Sequence, residues 1–106
     1  MRAESNAPTL SCVPGGIDVA ERPGHFALIR RLFTEQVRER QEIANGYVFR
    51  FEPESFSDLA RFVENERKCC LFLSFQLTVS PNGGPIWLRL EGPEGAQALI
   101  AAEILG

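Results

Sequence analysis

Histidine occurs once in this chain of 106 residues, at position 25, and cysteine three times, at 12, 69 and 70. A lone histidine has no second imidazole to share a metal with. An odd cysteine count excludes a complete disulfide framework within one chain. No stretch is apolar for long enough to span a membrane. Residues Met1 to Pro8 lack the hydrophobic core of a secretory leader. The sequence therefore predicts a cytoplasmic protein, in which cysteines stay reduced and act as thiols or ligands. Basic residues are not in excess either: 11 Lys and Arg stand against 14 Asp and Glu, for a net charge of -3. A nucleic-acid binder needs a basic face, so no nucleic-acid partner is expected. No Gly-rich phosphate loop and no Gly-x-Ser-x-Gly elbow occur, which removes two large enzyme classes. There is no internal repeat.

A chain of this length holds one modest core. Met1 to Pro8 reads as a disordered tail and residues 9–106 as a single α+β domain. Thr9-Leu10-Ser11-Cys12-Val13 is β-prone, an edge strand or extended arm ended by Pro14-Gly15-Gly16. A first helix is predicted from Pro23 to about Gln36, with Phe26, Ile29, Phe33 and Val37 on its buried stripe and Leu28 and Leu32 beside them. Asn45-Gly46 marks a hairpin, since both residues accept positive φ. Tyr47, Phe49 and Phe51 alternate with Val48 and Arg50 after it. The charged arm before the turn, about Arg38 to Ile43, is a polar edge strand or a frayed helix end. The strand is preferred because the turn needs a partner.

Ser55 or Ser57 can cap a second helix, with Asp58 three residues after Ser55. This helix runs from about Ser57 to Cys69, with a stripe of Phe56, Leu59, Phe62, Val63, Glu66 and Cys70. A second hairpin turns at Pro81-Asn82-Gly83-Gly84, between Phe75, Leu77 and Val79 on one side and Ile86, Leu88 and Leu90 on the other. Gly92-Pro93-Glu94 opens a last helix. The order helix, hairpin, helix, hairpin, helix implies a four-stranded, mainly antiparallel sheet with helices on one face. The other face carries Val48, Arg50, Gln76, Thr78, Trp87 and Arg89. There Trp87 and Val48 are either an interface anchor, as in a homodimer, or are covered by the N-terminal arm.

The chemistry concentrates at Glu66-Arg67-Lys68-Cys69-Cys70. Adjacent residues on a helix point about 100° apart. At a helix C-terminus, however, the chain can turn and bring both sulfurs to one point. Glu66 precedes Cys69 by three residues and Cys70 by four, which puts it on their face. It can accept a proton or act as a ligand, or else form a surface ion pair. Arg67 and Lys68 can lower a thiol pKa by charge. If the N-terminal arm packs beside this junction, Cys12 supplies a third sulfur. Three thiolates suit Hg(II), As(III) or Cu(I), and Zn(II) with a fourth ligand, for which His25 is available. Against this, a buried cysteine can be packing alone, and His25 can be a solvated residue of the first helical turn. A thiol-dependent enzyme is a further alternative. A Cys-His catalytic pair has no support from the spacing.

Ser11-Cys12, Asn45-Gly46-Tyr47, Glu66-Arg67-Lys68-Cys69-Cys70 and Gly83-Gly84-Pro85-Ile86-Trp87-Leu88, followed by Gly92-Pro93-Glu94-Gly95, resemble a small uncharacterised bacterial family. Its members carry an ERxCC motif and a GGPxWL hairpin. Some are linked with heavy-metal regulators of the mercury-responsive type. The resemblance covers most of the chain and implies a heavy-metal context rather than an activity. Many relatives have Pro after the cysteine pair, where this chain has Leu71.

Overall fold

The computed structural model describes residues 12–106. The tail 1–8, and residues 9–11 of the β-prone arm, lie outside the described residues. Two short 3-10 turns, Pro14–Gly16 and Val19–Glu21, lead into helix α1, Arg22–Arg31, with Pro23 in its first turn. Its last turn widens into a π-helical stretch, Leu32–Gln36. Strands β1, Val37–Ile43, and β2, Gly46–Phe51, form the first hairpin. Helix α2, Phe56–Cys69, follows a 3-10 turn at Pro53–Ser55. Strands β3, Ser74–Val79, and β4, Ile86–Glu91, form the second hairpin. Helix α3, Ala96–Ile100, continues as a π-helical stretch over Ala101–Leu105. The sheet is antiparallel throughout, in the order β1-β2-β4-β3, with the predicted succession of helices and hairpins.

Alternation sets the two sheet faces. Phe49 opposes Leu88, Tyr47 opposes Leu90 and Phe51 opposes Ile86 across the central pair of strands, and all six are buried. The helices cover this face. Phe33 of the π-helical stretch meets Phe49, Phe51 and Phe62 edge-on, with ring centroids 4.9, 5.8 and 5.3 Å apart. Edge-to-face contact suits aromatic quadrupoles and adds to the burial. The opposite face carries the expected residues. Trp87 lies between Arg50 and Thr78 in register, with Val48 diagonal to it, and both apolar side chains are half-buried. Ion pairs join Arg50 to Glu39 and Glu52, and Arg89 to Glu91.

Three local expectations are corrected. The stripe of α1 is rotated: Phe26 is 45% exposed, while His25, Leu28 and Leu32 form the buried line with Phe33 beside it. Apolar periodicity found Leu28, Leu32 and Phe33 but centred the stripe on Phe26, because the buried line begins with a polar residue. The caps of α2 also differ. No side chain caps its N-terminus. The Ser55 hydroxyl instead donates to Gln36 Oε1, and Asp58 accepts from Gln36 and Arg31, tying α2 to the preceding helix. At the first hairpin only Asn45 takes positive φ, at 60°. Gly46 serves a different purpose. A Cβ there would collide with the carbonyl oxygen of Leu90, so glycine is what lets β2 approach β4 at its first residue.

This distinction has a measurable outcome. Gly46→Ala is expected to lower stability in urea denaturation by about 1–3 kcal/mol, because the obstructing atoms are backbone and cannot move aside. Gly24→Ala, inside α1 with nothing within 4 Å of the added methyl, is expected to raise stability by up to about 1 kcal/mol.

Candidate functional site: a buried cysteine–carboxylate cluster

The C-terminal end of α2 leaves its last carbonyls without helical partners. The segment 12–17 returns to satisfy and cover them. The Val13 amide donates to the Cys69 carbonyl at 2.8 Å. Gly16 packs so closely on the Lys68 carbonyl that a side chain at 16 would overlap it. Arg22 Nε donates to the Ile17 carbonyl at 3.0 Å and fixes the segment's exit into α1. This return brings Cys12 to Cys70, with Cα atoms 4.4 Å apart, and the two form a disulfide.

The disulfide corrects the expectation of three reduced thiols. Cys69 alone is free, and it is buried. The chain turns at Cys70, whose backbone leaves the helical region at φ -109° and ψ 76°. The turn places the Cys69 and Cys70 sulfurs 3.8 Å apart. Leu71, next after the pair, is 80% exposed.

Glu66 is 3% exposed and makes no surface ion pair. Its Oε2 lies 3.0 Å from Cys70 Sγ and 4.0 Å from Cys12 Sγ. Its Oε1 lies 2.7 Å from His25 Nε2. His25 is 2% exposed, not solvated. It stacks on Phe62 at 6.1 Å, and its Nδ1 has no hydrogen-bond partner among the described residues. A cleft of about 180 Å³, lined by Glu21, Gly24, His25, Arg61 and Asn65, adjoins it.

One ligand atom from each of Cys12, Glu66, Cys69 and Cys70 falls within a set no wider than 4.8 Å. The structure thus brings together four of the five residues suggested as ligands. His25 stands behind Glu66 and orients it, as outer partners of ligating carboxylates do. No local sequence signal marks His25, because its partner lies 41 residues away on another helix. Asn65, also buried, was likewise missed. The suggested influence of Arg67 and Lys68 is absent from Cys69, since both side chains are exposed to solvent. Burial, and then the charge and hydrogen bonding of Glu66, push the Cys69 thiol up from 9.0 to about 12.

The interface candidates Trp87 and Val48 lie on the opposite side of the sheet from the helices. The arm once considered as their cover lies mostly outside the described residues. Among the described residues, no helix is long and apolar enough to cross a membrane. Comparison with protein-family models, curated proteins and solved structures gives no match to any of the three.

The raised Cys69 value gives a pH signature. Only a thiolate is alkylated. A group held protonated up to about 12 should react at pH 8 roughly a thousand-fold more slowly than a free thiol. Its rate with iodoacetamide should keep rising past pH 10. An inflection near 9 in the folded protein would contradict this account.

Proposed function

We propose that the chain binds one soft metal or metalloid ion through Cys12, Cys69 and Cys70 once the disulfide is reduced, with Glu66 as an adjacent oxygen donor. The gathering of three sulfurs and a carboxylate within 4.8 Å carries this reading. Two sulfurs bonded to one ion at about 2.3 Å stand about 3.4–4.0 Å apart for angles of about 95–120°. Cys69 and Cys70, 3.8 Å apart, fall in that range. In a reducing compartment, as the sequence predicts for a cytoplasmic protein, the pair is held as thiols.

Charge narrows the choice of ion. Three thiolates on As(III) leave no net charge in a buried site. On Hg(II) they leave one negative charge. Zn(II) with Glu66 added, or Cu(I) on the thiolates alone, leaves two. Each uncompensated buried charge costs several kcal/mol. As(III) and Hg(II) are therefore favoured. The resemblance to proteins linked with mercury-type regulators agrees with this order. A catalytic role for Cys69 is disfavoured. With a value of about 12, roughly one molecule in a hundred thousand carries its thiolate at pH 7.

The test is titration of the reduced, full-length protein with arsenite or Hg(II). Sulfur-to-ion charge-transfer absorbance and one bound ion in native mass spectrometry are expected. Cys12→Ser and Cys70→Ser should each abolish tight binding, and Glu66→Gln should weaken it about 10–100-fold. A reduced protein that takes up neither ion, and whose thiols alkylate equally fast with and without them, would refute the proposal.

A further inference from the structure

We infer that Cys12 is the entry point for an external low-molecular-weight thiol, and that the Cys12–Cys70 disulfide opens by mixed-disulfide formation at Cys12 with Cys70 as the leaving sulfur. The inference builds on the proposed binding reading, since that reading needs the pair reduced.

The two sulfurs of the disulfide stand in unlike surroundings. Cys70 has no exposed surface. Glu66 Oε2 at 3.0 Å and Cys69 Sγ at 3.8 Å crowd it. An incoming thiolate would meet both a steric barrier and a buried carboxylate there. Cys12 is only partly buried and is 4.0 Å from the same oxygen. It also sits on an irregular segment rather than on the helix. Thiol–disulfide exchange depends on which sulfur the attacking thiolate can reach. Cys12 meets that condition and Cys70 does not.

The leaving side is equally distinct. The thiolate attacks Cys12 Sγ, the Cys12–Cys70 bond breaks, and its electron pair goes to Cys70. Cys70 then takes up, by way of solvent, the proton that the external thiol lost. A second molecule of thiol attacks the external sulfur of the mixed disulfide, forming the external disulfide and freeing Cys12. Two external thiols are oxidised and the protein disulfide is reduced. Cys69 is buried, out of reach of the external thiol, and takes no part.

The experiment uses the oxidised full-length protein with glutathione as probe. Early time points are quenched with N-ethylmaleimide and the modified cysteines are mapped by mass spectrometry. Glutathione is expected on Cys12, with maleimide on Cys70, in at least roughly ten-fold excess over the reverse pattern. Glutathione mainly on Cys70, an even mixture, or no adduct under conditions that modify the unfolded chain would each overturn the inference. No metal is present in this experiment. A failure here leaves ion binding by chemically reduced protein intact, and a failure of ion binding leaves this result intact.

Discussion

A carboxylate removed from water must find partners or cost several kcal/mol. Glu66 finds them on two sides, one oxygen on His25 of α1 and the other against the sulfurs of Cys70 and Cys12. That single side chain joins three parts of the fold: both long helices and the returning segment at 12–17. The rotation of α1 follows from it, since His25 must face inward and Phe26 must then face outward. Without Glu66, His25 would be buried with neither ring nitrogen partnered. The polar centre of the core is thus part of the architecture and also a member of the cysteine–carboxylate cluster.

The parts of this arrangement that rest on local pattern were legible in the chain. Alternation placed both hairpins and assigned Val48, Arg50, Gln76, Thr78, Trp87 and Arg89 to the helix-free sheet face. The spacing of Glu66, Cys69 and Cys70 placed them on one side of a helix end. What pattern alone could not show were pairings between distant residues. His25 and Glu66 are 41 positions apart, and Cys12 and Cys70 are 58. Neither pairing leaves a periodic trace. Gly46 illustrates a subtler limit. It was read as a turn residue because of its neighbour Asn45, but its place is dictated by a strand more than 40 positions further along.

The cluster and the scaffold share their supports. The same short segment that supplies Cys12 also supplies the Val13 amide and the bare Gly16 backbone that close the end of α2. Its position therefore does not depend on sulfur chemistry alone. Backbone contacts as well as the disulfide hold Cys12 near Cys69 and Cys70. On the far side, α3 holds the first hairpin in place, with Gln97 Nε2 donating to the carbonyls of Ile43 and Gly46. The charged sheet face is separated from the cysteines by the whole thickness of the core.

The bond between Cys12 and Cys70 also divides the polypeptide into a covalent ring and a tail. The ring encloses α1, the first hairpin and α2, while β3, β4 and α3 follow outside it. Closing a loop of 58 residues removes freedom from the denatured chain equivalent to about 4 kcal/mol. Yet the central seam of the sheet, β2 against β4, is shared between ring and tail. Oxidation thus constrains the amino-terminal part of the denatured chain, while the sheet is completed only by strands outside the ring.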